Sequence, residues 1–160
     1  MNRQELAEQL SNVSNEFLVE GQYGKAQALM FAAIMLDEQN AKWHVGLGII
    51  FSLSGEGNKA IFEFEKALQL DPEHTSALSL LGGIYQKQGN FERAIDLLEH
   101  NLLIHEAKEY DYNSALINNL CKAYIESGKR EKAKALIEKY IIRYPKDENL
   151  LRIRIQLGLH

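Results

Sequence analysis

The sequence predicts an all-α fold, four tandem helix-turn-helix repeats closed by a C-terminal capping helix. Three observations predict it. Apolar residues recur at helical spacing, a glycine-bearing turn separates each pair of apolar faces, and the whole pattern returns after 34 residues. The reference stretch runs from Ala41 to Pro72, AKWHVGLGIIFSLSGEGNKAIFEFEKALQLDP. Leu47, Gly48 and Phe51 fall on one face of its first helix, and Ala60, Phe64 and Ala67 on one face of its second. Small residues at Gly48, Ala60 and Ala67 let two backbones approach, and the large ones fill the remaining space, as dense interior packing requires. A step from Ala41 to Thr75, 75 − 41 = 34, brings Leu81, Gly82, Tyr85, Gly89, Ala94 and Leu98 into the same places. The same step backwards gives Val13, Ser14, Phe17, Gly21, Ala26 and Met30. The fourth unit begins at Ser114, an offset of 114 − 75 = 39, and gives Leu120, Cys121, Tyr124, Gly128, Ala133 and Ile137. The repeats therefore span about 7–40, 41–74, 75–108 and 114–147, with a capping helix at about 147–158, in a single domain covering 1–160.

In order, the first helix begins near Asn2 or Arg3 and runs to about Glu20, with Leu6, Leu10, Val13 and Phe17 as its stripe. The second runs from Tyr23 to about Leu36. Its AQALMFAAIML is apolar nearly all round and predicts burial on more than one side. Asp37 to Asn40 makes the turn into the second repeat. Gly57 stands where Tyr23 and Phe91 stand in their repeats, which predicts a looser turn at 54–58. Pro72 stops the fourth helix, because proline cannot continue the ladder and restricts the residue before it. Glu106 to Asn113, EAKEYDYN, is longer and more polar than the other junctions. It either extends the sixth helix by a turn or forms a loop carrying Tyr110 and Tyr112, whose rings are read as packing beneath the connection rather than as a binding feature. Ser114 to Ser127 and Arg130 to Arg143 make the fourth pair. The last helix carries Leu150, Leu151, Ile153 and Leu157 and covers the apolar face that a terminal repeat leaves open.

Composition narrows the function classes. With 46% apolar and 25% charged residues, the 160-residue chain reads as an ordinary soluble protein with a sizeable core. No run of 18 apolar residues suggests a membrane span, and the polar start MNRQELAEQL has no signal-peptide core. A single cysteine precludes an internal disulfide, so a cytoplasmic setting is expected. Residues 1–113 carry net −9 and residues 114–160 net +5. A basic end on an acidic body could steer an acidic partner or favour head-to-tail self-association, and the plainer reading is a solvated surface at Lys129, Arg130, Lys132 and Lys134. No aromatic-basic interleaving points to nucleic acid. No nucleophile, base or metal set assembles along the chain. His100 and His105 are five apart and do not share a helical face, and Gly46-Leu47-Gly48 lies within a helix rather than a phosphate loop. Cys121 takes the small-residue place of Gly48 and Gly82, so it reads as an inert buried thiol. The chain is expected to be non-catalytic, with no cofactor and no metal.

The four units resemble the tetratricopeptide repeat, on the Leu47, Gly48, Phe51, Gly55, Ala60 and Phe64 pattern with its three copies, and on the closing Pro72 and Pro145 of the second and fourth. The resemblance implies a right-handed superhelix whose first helices line a concave groove that binds a protein or peptide. Repeat position then assigns the peptide-binding residues: Asn15, Leu18 and Val19; Val45, Ile49 and Leu53; Gln86 and Lys87; Asn118, Asn119 and Lys122. The front of that groove is apolar and the back polar. Contiguous apolar side chains on an open face mark interaction sites. An extended client would anchor on them and bond its backbone to Gln86, Asn118 and Asn119. The competing reading fills the front with the N-terminal helix or a second copy of the chain, as a homodimer. Family members that hold acidic chaperone tails use a clamp whose matching places here are Ser11, Asn15, Gly46, Ser76 and Leu80, and only Asn15 agrees. The stretch from Phe17 to Ala26, with Leu36-Asp37 and Gly46-Leu47-Gly48, is also similar to type III secretion chaperones of translocator subunits. That similarity implies a cytoplasmic chaperone that binds a short apolar segment of its client. The complete fourth repeat and the insertion depart from that pattern. The alternative function is a structural adaptor that assembles through its ends or convex face.

Overall fold

The computed structural model describes residues 2–159. Among them the chain forms nine helices: α1 (Arg3–Val19), α2 (Tyr23–Leu36), α3 (Ala41–Leu53), α4 (Gly57–Leu70), α5 (Thr75–Lys87), α6 (Phe91–Ala107), α7 (Ser114–Glu126), α8 (Arg130–Ile141) and α9 (Glu148–Gln156). They fall into two compact units, divided between Ala77 and Leu78.

Local chemistry sets the helix ends. Asn2 caps α1 through a reciprocal box: its side chain accepts from the Glu5 N–H at 2.8 Å, and the Glu5 carboxylate accepts from the Asn2 N–H at 2.9 Å. Asn40, Asn113 and Asp147 accept from the first-turn amides of α3, α7 and α9. Helices α1, α3, α5 and α7 all end in one motif. Gly21, Gly55, Gly89 and Gly128 sit at φ between 73° and 83°. The next N–H then reaches back to the carbonyl of Phe17, Phe51, Tyr85 or Tyr124 at 2.7–2.9 Å. The turn at 54–58 is therefore not looser than the others. Gly57 opens α4 without a packed ring, yet the Glu56 N–H to Phe51 bond is 2.8 Å, and Ser54 Oγ adds bonds to the Phe51 carbonyl and the Glu56 carboxylate.

In the first unit α1 packs on α2, α2 on α3, and α3 on α4. Its core holds Ala26, Met30, Trp43, Leu47, Ile50, Phe51, Ala60 and Phe64. Gly48 lies against the Phe64 ring, where a Cβ would come within 2.7 Å of Cε1. Helix α2 is buried on two sides, as its composition predicts. Ala26, Met30 and Ala33 are buried where α2 packs on α1 and α3, while Phe31 and Met35 on its remaining face are exposed.

In the second unit one core joins Ile95, Leu98, Leu116, Leu120, Cys121, Tyr124, Ile137, Leu150 and Ile153. Cys121 is fully buried, and burial pushes its thiol up to about 12. Helix α9 packs on α7 and α8 with Leu150, Ile153 and Leu157 buried, while Leu151 stays partly exposed. Both readings of the insertion hold in part. Helix α6 continues to Ala107, and a loop over residues 108–113 follows. No helix among the described residues is long and apolar enough to cross a membrane.

Candidate functional site

The predicted apolar residues of the first unit divide by depth. Val19, the last residue of α1, is 88% exposed, and Leu53, the last of α3, is 57% exposed. Leu18 and Ile49 are half-buried, and Asn15 is exposed. Val45 is only 6% exposed, which corrects the expectation that it faces open solvent. The reason lies in α3, which packs against α1, α2 and α4 and so buries a wide arc of its surface. Of the predicted apolar residues, then, Val19 and Leu53 are open to solvent, and Leu18 and Ile49 show only an edge. Across α1 and α3, Lys42 Nζ donates to Glu8 at 2.6 Å, eleven residues before Leu53 and Val19 on the two helices. Ser11 is buried.

In the second unit the predicted residues are polar and shallow. Gln86 donates to Glu126 at 3.0 Å, linking α5 to α7. Asn118 and Asn119 are half-buried on α7, while Lys87 and Lys122 are exposed. Two half-buried amides keep donors and acceptors near the surface, which suits contacts to a peptide backbone.

The residue pattern did not reveal three further features. The first is a buried pair in which His44 Nδ1 donates to Glu63 at 2.8 Å, joining α3 to α4, with His44 Nε2 left without a partner. Its neighbour Phe62 is 65% exposed, so the ring stands outside and the carboxylate inside, the reverse of what polarity suggests. The second is a hollow of about 420 Å³ beside Phe31, Phe51 and Phe62. The third is a cavity of about 670 Å³ beside the inserted segment, where Tyr110 and Tyr112 meet Tyr140 and Tyr144. The spacing of Tyr110 and Tyr112 signalled the first half of this cluster. Nothing local tied them to α8.

The charged turn of the fourth repeat is mostly spoken for. Lys129 bonds Glu92, Lys132 bonds Glu99 at 2.9 Å, and Lys139 bonds Glu106 at 2.6 Å. Tyr124 also donates to Glu99 at 2.5 Å. Burial raises the Glu99 carboxyl, but the Tyr124 hydroxyl and Lys132 outweigh it and hold the group below its ordinary range. Lys139 and Tyr140 lower Glu106 likewise. Among the described residues, no three His, Cys, Asp or Glu side chains are placed to hold a metal.

Known proteins share this architecture. TPR repeat-containing protein YpiA of Bacillus subtilis is 28% identical over 143 residues, which is 87% of this chain and 32% of YpiA. The chain thus spans about a third of that relative. A structure of Pseudomonas aeruginosa PilF superposes with a TM-score of 0.78 at 23% identity, covering 92% of this chain and 65% of PilF. The first tetratricopeptide domain of Spaghetti (RPAP3), solved bound to the HSP90 peptide SRMEEVD, superposes with a TM-score of 0.70 at 18% identity, covering 78% of this chain and 95% of that one. Two tetratricopeptide repeat family models match at residues 52–105 and 122–147. With the pattern recurring in four units and both models falling on it, the chain belongs to the tetratricopeptide repeat family, whose fold is a protein–protein interaction module.

Proposed function

We propose that the chain is a non-catalytic module that binds an extended apolar segment of a partner protein. The carrying observation is the solvent-facing pair Val19 and Leu53, flanked by Leu18 and Ile49, at the ends of α1 and α3. Leaving such side chains in water forgoes about 25 cal/mol per Å² of burial that a partner can recover. This surface lies at the opposite ends of α1 and α3 from the Glu8–Lys42 pair. Asn15 supplies an amide beside it. In the second unit Gln86, Asn118 and Asn119 offer further amides for a peptide backbone, with Lys87 and Lys122 at the exposed margin.

The peptide seen in the RPAP3 domain supports peptide binding by this fold, but its acidic tail does not transfer. Of the matching clamp positions only Asn15 is present, and Ser11 is buried. A narrower role as a secretion chaperone for an aggregation-prone client rests on the Phe17–Ala26 and Gly46–Gly48 stretches. The adaptor reading, in which Lys129, Arg130 and Lys132 grip a partner, is weakened because Lys129 and Lys132 already bond Glu92 and Glu99.

An array of immobilised extended peptides, apolar and polar, tests the proposal. Wild-type protein should retain apolar peptides selectively. Val19→Asp and Leu53→Asp should each cut that retention at least about tenfold, roughly 1.4 kcal/mol, with unchanged far-UV circular dichroism. Retention undiminished in both variants would sink the assignment. Val19 and Leu53 are preferable to Ile49 as targets, because their exposure separates binding from folding.

A further inference from the structure

We propose that the cavity beside the inserted segment binds a guanidinium group, presented as an arginine side chain by a segment of a partner protein. The cavity lies wholly in the second unit and stands independently of the apolar surface at α1 and α3. Its floor is Leu102, Leu116 and Ile117, and its volume of about 670 Å³ is in the range of small-ligand sites. Tyr112, Tyr140 and Tyr144 form one wall as a stack, with Tyr112 and Tyr144 centroids 3.8 Å apart and their planes inclined by 13°. Tyr110 forms another, half-exposed and edge-on to His105 at 5.2 Å.

The rings already hold cations from the chain itself. Lys139 lies 5.5 Å over Tyr140, and Arg143 lies 5.7 Å over Tyr144. Those faces are taken, whereas Tyr110 carries no cation among the described residues and is stacked on no other ring, so its face is left for an external guanidinium by the same quadrupole attraction. The free charges favour such a guest. Glu106 is satisfied by Lys139 at 2.6 Å and by the Tyr140 hydroxyl at 2.7 Å. Glu109 and Asp111, on either side of Tyr110, form no ion pair among the described residues, and of the lining cations Lys139 is paired with Glu106 while Arg143 lies over Tyr144.

The placement of Glu109 is itself informative. Helix α6 ends as the shorter hairpins do, with the Tyr110 N–H bonded back to the His105 carbonyl at 3.0 Å. In those turns glycine takes the left-handed position, and here glutamate takes it at φ 51°. Glycine would be the easier residue, so the carboxylate is held at the cavity against a backbone preference.

The test is a titration of the intact protein followed by NMR of its tyrosine ring signals. The probes are acetyl-Gly-Arg-Gly-amide, its Glu and Leu counterparts, and methylguanidinium. The arginine tripeptide should shift the Tyr110 and Tyr112 signals saturably, at least tenfold more tightly than the Glu or Leu tripeptide. Glu109→Gln with Asp111→Asn should weaken it at least fivefold while the unliganded spectrum of the Tyr112–Tyr144 stack stays in place. Equal binding of the Leu tripeptide, or no saturable shift, overturns the site. Methylguanidinium binding as tightly as the tripeptide overturns the peptide source and leaves a free cation as guest.

Discussion

Gly48 and Gly57 make a matched pair, one closed in and one open. A Cβ on Gly48 would lie 2.7 Å from Phe64 Cε1, whereas nothing stands within 4 Å of a Cβ on Gly57. Alanine gains about 1 kcal/mol of helix propensity over glycine inside a helix. At Gly48 the displaced ring reverses that gain, since overpacking costs about 1–3 kcal/mol. Gly48→Ala should therefore lower the urea midpoint, and Gly57→Ala should leave it unchanged or raise it. A midpoint raised by Gly48→Ala would mean the Phe64 ring moves freely. The small-residue places were legible because Gly48, Gly82 and Cys121 recur at one repeat position, and a side chain that must clear a facing backbone leaves that mark in every copy. The His44–Glu63 bond was not legible. Polarity assigns a lone Glu between two Phe to the outside, and only the packing of α3 on α4 brings Glu63 against His44.

Between α6 and α8 the interactions are electrostatic as well as apolar. Glu92, Glu99 and Glu106 are seven residues apart, two helical turns each, so they share a face of α6 opposite Lys129, Lys132 and Lys139. The sequence shows a basic segment following an acidic body, and the fold turns much of that asymmetry into internal pairs. Each pair is partly exposed and so contributes at most about 1 kcal/mol. Because Glu99 and Glu106 are lowered in the folded state, their contribution is full above the ordinary carboxylate range. It is lost as pH falls through their lower folded values. The double variant Glu99→Gln, Glu106→Gln should be less stable than wild type near neutral pH, and the difference should shrink at a pH well below the ordinary carboxylate range. Urea titrations at the two pH values check this. An equal deficit at both would assign the loss to packing instead. The caps at Asn40, Asn113 and Asp147, local as they are, were not read from the repeat pattern, and the extent of α6 stayed open because EAKEYDYN suits a helix end and a loop alike.

For the whole chain, the repeat period sets the number and order of the helices but not how deep each side chain sits. Val45 was assigned to an open face by its repeat position, and its burial follows from how many helices crowd α3. The same limit hid the tyrosine cavity, whose walls come from residues about 30 positions apart, on the insertion and α8. Each unit has its own core, and stability in a repeat array is a sum of local and nearest-neighbour contributions. Trp43, the single tryptophan, is buried in the first unit and reports on it alone, whereas far-UV circular dichroism reports on all the helices. Phe64 is buried in that same core, so Phe64→Ala should cost about 3–5 kcal/mol there. Its urea transition followed by Trp43 fluorescence should move to lower denaturant than the transition followed by circular dichroism, splitting two curves that lie closer in wild type. The matching truncation in the second unit, Ile137→Ala, should move the dichroism curve more than the fluorescence curve. If both variants shift the two probes by the same amount, the chain unfolds as one cooperative body and the division at Ala77 carries no energetic meaning.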